Sequence, residues 1–258
     1  MTKPKILVLD IEISPTKAYV WKMWKENISA KQVIENFYIM SFAAKWFGED
    51  EIIYEDSRTE DDRQITEKLC YYMDQADFIV AHNGENFDIP KIRARAAVHN
   101  IPPPSPAKMI DTLKIARREF GFPSNSLESL CNILGLKTKK GQQRKFSGFS
   151  LWAECIAGND EAWEDMRLYN IDDILALEEL YLRLRAYDTR HPNLAVYAED
   201  NDNILCPKCG GSHVQWRGYA YTGIGKYHRF QCTDCGGWGR GRYSLLPKNA
   251  NLIANQAV

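Results

Sequence analysis

Long apolar runs are missing from this sequence. No stretch of its 258 residues approaches the roughly 18 consecutive apolar residues that a membrane-spanning helix requires, which sets a transmembrane reading aside. The opening MTKPKILVLDIE has no secretory-leader pattern, because its apolar segment is short, holds acids and lacks a small-residue cleavage site. Internal repeats and low-complexity segments are absent too, so neither a solenoid nor a long disordered tract is expected. Cysteine is sparse, with seven in all. The expectation is a cytoplasmic protein whose thiols stay reduced unless they hold metal.

Strong net charge is also lacking, but the value of −1 hides an asymmetry. Residues 206–248 carry seven cations against Asp234, a net of +6, and 249–258 carry none, so 1–205 hold −7. An acidic body with a basic tail suggests two modules with different tasks. The expected division is a domain at 1–187, a linker at 188–204, a second module at 205–248 and a tail at 249–258.

Alternation predicts strands at 5–13, 38–47 and 51–56. A helix is expected over 59–75 with Thr59 as its N-cap. A strand at 77–83 leads to a helix at 86–100, with Pro90 near its start. IPPPSP (101–106) reads as a stiff connector. A strand at 108–111 precedes a helix at 112–120, which Asp111 caps. A helix at 126–136 follows, with Asn125 as N-cap and Glu128 completing a reciprocal cap. Residues 159–187 read as a long helical stretch with one break. Three strands, a helix and two strand–helix units imply an α/β fold, with an antiparallel start and a parallel continuation in one mixed sheet.

Chemistry concentrates in three places. In LVLDIEI (7–13), Asp10 and Glu12 share one strand face with Val8, while Leu9, Ile11 and Ile13 take the other. Neighbouring carboxylates repel, more so when partly buried, and a hard divalent cation such as Mg²⁺ or Mn²⁺ relieves this. In AHNGENFD (81–88), Asp88 opens a helix, a position that favours an acid on electrostatic grounds alone. His82 reads as a satisfied structural histidine, and Asn83 and Gly84 as turn residues. In LYNIDDI (168–174), Tyr169 and Asp173 share a helix face, while Asp172 points roughly 100° away.

Asp10-x-Glu12, Asn83-Gly84-x-x-Phe87-Asp88 and Tyr169-x-x-x-Asp173 together resemble the DEDDy-type 3′–5′ exonucleases, of the DnaQ-like branch of the ribonuclease H-like superfamily. The phrases LVLDIE, AHNGENFD and YNIDDILALEELY are most similar to the YprB-type members. The resemblance spans about 1–187. It implies a ribonuclease H-like mixed sheet flanked by helices, and a site in which Asp10, Glu12, Asp88 and Asp173 hold two Mg²⁺ or Mn²⁺ ions roughly 3.5–4 Å apart. Tyr169 would then orient the attacking water. Asn83 and Phe87 stand as substrate contacts beside an equally open structural reading. In KTKKGQQRK (137–145), Lys139, Lys140 and Arg144 are candidate phosphate contacts.

The tail carries C-x2-C-x22-C-x2-C. Paired thiolates at this spacing, each pair followed by glycines, make two knuckles around one tetrahedral Zn²⁺. Cys206, Cys209, Cys232 and Cys235 are the expected ligands, with His213 and His228 as possible substitutes. Cys70, Cys131 and Cys155 sit in apolar helical settings. The intervening stretch alternates like a hairpin, so a small zinc ribbon is expected. Its cations interleave with aromatic residues, which suits single-stranded nucleic acid, although the rings could instead serve packing.

These features lead to a metal-dependent 3′–5′ exonuclease acting on DNA, with nucleic acid as partner, a possible link to replication or repair proteins, and a bacterial or phage-infected cell as the setting. An exoribonuclease of the same chemistry is the nearest alternative. A nucleic-acid-binding or polymerase-associated adaptor with a vestigial site is the alternative of a different class.

Overall fold

Alternation along the first strand decides the layering. The structure is a computed structural model describing residues 4–138, 145–198, 204–248 and 250–253. Strand β1 (Ile6–Ile13) sends Leu7, Leu9 and Ile11 into one apolar cluster, where they meet Ile65, Leu69, Met73, Ile89 and Ile92. Val8, Asp10 and Glu12 take the opposite face. Each aliphatic side chain buried in this way stabilises the fold by about 1.5–3 kcal/mol.

A two-stranded ribbon, β2 (Lys17–Ala18) with β3 (Val33–Glu35), precedes β4 (Ile39–Trp46) and β5 (Ile53–Asp56). Helix α1 (Arg63–Asp74), strand β6 (Phe78–Ala81), helix α2 (Asp88–Val98), strand β7 (Lys108–Asp111) and helix α3 (Thr112–Glu119) follow. Three more helices complete the layer: α4 (Leu127–Leu134), α5 (Phe149–Ile156) and α6 (Asp160–Leu184). The five-stranded sheet runs β5-β4-β1-β6-β7. Its β5, β4 and β1 pair antiparallel, and β1, β6 and β7 pair parallel, giving the mixed sheet expected. β1 is thus an interior strand, bonded along both edges.

A second apolar cluster joins Tyr38 and Met40 to Leu151, Cys155, Trp163 and Met166 of α5 and α6. Lys45, on β4, is nearly buried and pairs with Glu178 of α6, whose other oxygen accepts the Gly48 amide at 2.8 Å. Cys70, Cys131 and Cys155 are buried, in keeping with a core role. No helix among the described residues is long and apolar enough to cross a membrane.

Several local expectations need correction. Helix α1 starts at Arg63, so Thr59 does not cap it, and its N-cap residue Asp62 makes no capping bond with its side chain. That carboxylate turns inward, accepting the Ile39 amide at 2.8 Å and a two-pronged contact from Arg95 at 2.8 and 2.6 Å. His99 adds a contact at 2.6 Å. A buried guanidinium competes successfully for the oxygens that a cap would use. Helix α4 is capped by Ser126, which accepts the Ser129 amide at 3.3 Å, rather than by Asn125 with Glu128. Helix α6 runs 25 residues without the expected break. Helix α5 and the β2–β3 ribbon were not expected.

The chain divides into two compact units, Lys5–Tyr181 and the residues from Leu182 onward together with Pro4. In the second unit, the stretch expected to be an aperiodic linker contains a 3₁₀ turn at Leu194–Tyr197, with Leu194 buried and Asn193 capping it. Beyond it, β8 (Val214–Tyr221), β9 (Lys226–Cys232) and β10 (Trp238–Arg240) form an antiparallel sheet in the order β10-β9-β8. The expected hairpin between the cysteine pairs is β8–β9.

Removing Asp62 strands Arg95, so Asp62→Ala is expected to lower stability by about 3–5 kcal/mol in urea melts. Burial opposes the Asp62 charge, but hydrogen bonds from Arg95, Ile39 and His99 prevail and hold its pKa below the usual value. The unfolded carboxyl titrates near about 3.9. The contribution of this carboxylate is therefore complete above that pH and disappears as pH falls through the lower folded-state pKa. Asp62→Asn removes that acid-dependent increment.

Candidate active site

Two elements bring the acids together. β1 offers Asp10 and Glu12 from one face, and α6 offers Asp173 one helical turn beyond Tyr169. Carboxylate oxygens of Asp10, Glu12 and Asp173 all lie within 4.8 Å of one another. Asp173 is buried, while Asp10 and Glu12 are half-buried. Hard oxygen donors at this spacing suit Mg²⁺ or Mn²⁺.

Asp88 stands beside this trio rather than within it. Buried at the start of α2, its Oδ1 accepts the Ile11 amide, between Asp10 and Glu12, at 3.2 Å. Burial pushes its carboxyl up to about 7, with the charge of Asp111 adding and the Ile11 amide opposing. A nearby cation reverses that direction.

Tyr169 is half-buried, with its ring edge-on to Trp152 of α5 at 5.8 Å between centroids. Burial, then the charges of Asp173, Glu12 and Asp10, drive its pKa far above the ordinary phenol range. The hydroxyl therefore keeps its proton and acts as a hydrogen-bonding group.

The second motif is shaped by Asp111. Its carboxylate caps α3 by accepting the Leu113 and Lys114 amides at 3.0 and 3.2 Å. It also accepts the Asn83 and Glu85 amides at 3.0 and 3.3 Å. Asn83 has φ of +72°, a left-handed turn position. A Cβ at Gly84 would lie 2.5 Å from that of Ala81, so only glycine fits there. His82 is satisfied by Thr112 Oγ1 at 2.9 Å and the Asn125 carbonyl at 3.0 Å. Phe87 packs partly against the main core cluster. Lys139, Lys140 and Arg144 lie outside the described residues, and neighbouring Lys145 pairs with Glu161.

Sequence reasoning missed Asn170. It is fully buried, donates from Nδ2 to Asp10 Oδ2 at 3.0 Å, and accepts from the Ser41 hydroxyl on β4. A chain of hydrogen bonds thus holds one Asp10 oxygen from behind. The helical wheel offered a signal: Asn170 and Asp173, three apart, are neighbours on α6.

The second unit gathers the four cysteine sulfurs within 4.8 Å of one another. Tetrahedral Zn–S bonds near 2.3 Å require sulfurs about 3.8 Å apart. Cys206 and Cys235 stand at 3.7 Å, and Cys209 and Cys232 at 3.6 Å. Matching knuckles support them, the Gly211 amide donating to Cys209 Sγ and the Gly237 amide to Cys235 Sγ, both at 3.4 Å. His213 turns to Asp234 at 2.7 Å, and His228 packs on Trp216 and Tyr219. Phe230 is buried, while Tyr221 and Tyr243 are exposed. Arg229 lies over the Trp238 ring at 5.0 Å and Arg240 over Tyr227 at 4.0 Å.

Comparison with protein families matches residues 20–185 to the model of the RNase H superfamily family RNase_H_2. The match begins ten residues beyond Asp10, so the first acids rest on geometry alone. Comparison with curated proteins finds no match. Among solved structures, the chain is similar to the family B DNA polymerase of the hyperthermophilic archaeon Pyrobaculum calidifontis, at 15% identity and a TM-score of 0.51. The likeness covers 72% of this chain but 26% of the polymerase, and at that identity it speaks for the fold.

If the hydrogen-bond chain positions Asp10, Asn170→Ala weakens Mn²⁺ binding, measured by titration, on the order of 10- to 100-fold. Ser41→Ala has a smaller effect, and unchanged affinity in Asn170→Ala rejects the role. In the second unit, metal analysis is expected to find one zinc per chain, and Cys209→Ser to lose it.

Proposed function

Because the chain belongs to the RNase H superfamily, we propose that it is a metal-dependent nuclease that shortens DNA strands from the 3′ end. We assign 1–187 to the exonuclease domain, 188–204 to a linker, 205–248 to a nucleic-acid-binding zinc ribbon and 249–258 to a tail. The observation that carries the reading is the convergence of Asp10, Glu12 and Asp173 beside Tyr169. Acids from two distant elements, crowded to within one ion's reach, make poor structural partners for each other and good ligands.

When two divalent cations are bound, they supply the charge that activates water and stabilises the leaving oxygen of a phosphodiester. Asp10, Glu12 and Asp173 would hold the cations, and Asp88, bonded to the Ile11 amide between the first two acids, would complete the set. Asn170 fixes the orientation of Asp10. Tyr169, one helical turn from Asp173, positions the attacking water through its hydroxyl. Asn83 and Phe87 serve the turn and core that place Asp88, and their exposed portions border the terminal nucleotide. Lys139, Lys140 and Arg144 carry cations suited to phosphates.

The ribbon's net charge of +6 and its exposed rings support binding of unpaired strands. Zinc substitutes for a core that so short a segment cannot build.

The reading is tested with 5′-labelled DNA and RNA oligonucleotides in Mg²⁺, Mn²⁺ or EDTA. A ladder growing from the 3′ end of DNA, abolished by EDTA and by Asp10→Asn, is the expected result. Tyr169→Phe should slow cleavage on the order of a hundredfold while leaving Mn²⁺ affinity close to that of the parent. Cleavage of RNA alone reassigns the substrate, and binding without cleavage of either overturns the enzyme.

A further inference from the structure

Strands β1 and β4 are antiparallel neighbours, with Glu12 opposite Ser41. A two-residue turn can join such partners. Here residues 14–38 intervene, leaving the sheet just beyond Glu12. The neck of the excursion is clamped. Ser14 donates its amide to the Tyr38 carbonyl at 2.9 Å, and Tyr38 returns its amide to Ser14 Oγ at 2.9 Å. Both residues are buried.

Beyond the neck, β2 and β3 form a stalk, continued by the Tyr19 amide on the Gln32 carbonyl at 2.9 Å. The tip is organised from inside by two polar side chains. Glu26 accepts the Trp21 and Lys22 amides at 3.0 and 2.8 Å. Gln32 donates to the Tyr19 carbonyl at 2.9 Å and to Glu26 at 3.1 Å, and its Oε1 accepts the Ser29 amide at 2.9 Å.

The usual arrangement is therefore inverted: polar groups shape the interior of the loop and rings face water. Tyr19 is 74% exposed, Trp21 94%, Met23 86% and Trp24 79%. Concentrations of large apolar side chains on a surface mark places where something binds. Lysines alternate with the rings, in Trp21-Lys22-Met23-Trp24-Lys25. Lys22, Lys25 and Lys31 stand against Glu26, whose oxygens are already engaged, so the tip is basic on a domain that is acidic as a whole.

We propose that this tip is a stacking platform for unpaired nucleic acid, on which the bases of a single strand rest on Trp21 and Trp24 while Lys22 and Lys25 meet its phosphates. Every base has a face for an indole, so the platform is indifferent to sequence. Its stalk springs from the strand that carries Asp10 and Glu12, so a strand resting there leads toward the acids. The inference rests on the nuclease reading for its purpose but not for its binding chemistry. The occupant is a single strand and not a protein partner, because alternating rings and cations match alternating bases and phosphates.

The test uses the full-length chain and a Trp21→Ala/Trp24→Ala variant, with thermal melts to show that both fold alike. Binding of a 5′-labelled oligothymidylate is followed by anisotropy on the zinc-loaded chain without added Mg²⁺ or Mn²⁺. Affinity should fall about tenfold or more for each ring removed, and Trp21→Phe/Trp24→Phe should recover much of it. In Mg²⁺, hydrolysis of a thymidine monophosphate p-nitrophenyl ester, which reaches only the acids, should match the parent in the alanine variant. Its KM for the oligonucleotide should rise. Oligonucleotide binding equal to the parent's overturns the platform, whatever the nuclease result. A parent that hydrolyses neither compound overturns the nuclease reading instead, and the anisotropy still decides the platform.

Discussion

Repulsion between carboxylates is the constraint on which the rest of the larger unit depends. Two unit charges about 4 Å apart repel by about 4 kcal/mol at the effective dielectric typical near a protein surface. The oxygens of Asp10, Glu12 and Asp173 stand at such distances. A domain of this kind is stable by only about 5–15 kcal/mol in total. The trio is tolerable because its scaffold cannot yield. β1 is bonded to β4 on one side and to β6 on the other, its reverse face is sunk in the core, and α6 is anchored by the partly buried pair of Lys45 and Glu178. Splaying Asp10 and Glu12 away from α6 would mean distorting an interior strand, and positive charge brought to the trio would relieve the repulsion.

Other acids of the same unit show what a carboxylate does when it serves the fold alone. Asp62 gives its oxygens to Arg95, His99 and the Ile39 amide. Asp111 gathers four backbone amides and so fixes both the helix behind it and the turn beside it. These groups are immobilised by donors from the protein itself. Among the donors to Asp10 is Asn170, a neutral amide, which holds one of its oxygens in place without cancelling its charge; a metal ligand needs support of this kind.

What was legible in the sequence follows from periodicity. Period two along LVLDIEI separated the core row from the acid row, and the spacing of four between Tyr169 and Asp173 put them on one helix face. The cysteine spacing foretold two knuckles and the hairpin between them. Features decided by distant partners were not legible. Asp62 looks like any acid at a helix start, and only Arg95, thirty-three residues away, makes it a buried ion pair. Ser41 and Asn170 are 129 residues apart, so no local pattern joins them. Helix α5 was hidden because Trp152 and Leu151 gain their partners from α6 and β4. The excursion after Glu12 shows neither strand nor helix periodicity, since Glu26 and Gln32 shape it through contacts specific to that loop.

A site built from acids that takes a polyanion as substrate needs attraction to offset its charge, and on the proposed reading two kinds, which respond differently to salt, supply it. Lysines and arginines act over distance, but their pull weakens as ionic strength rises and counterions compete for the phosphates. Stacking acts only on contact and is far less sensitive to salt. Trp21 and Trp24 on the larger unit, and the exposed Trp238 beside Arg229 and half-buried Tyr227 beside Arg240 on the ribbon, place both kinds of group in the same short segments. A surface that relied on cations alone would also attract duplexes and would be drawn to its own acidic body. Rings discriminate against both, because a paired base has no free face to offer and a carboxylate gains nothing from an indole. The exposure of these aromatics, unfavourable in a free protein, is therefore consistent with a domain whose negative charge cannot be removed without removing its chemistry.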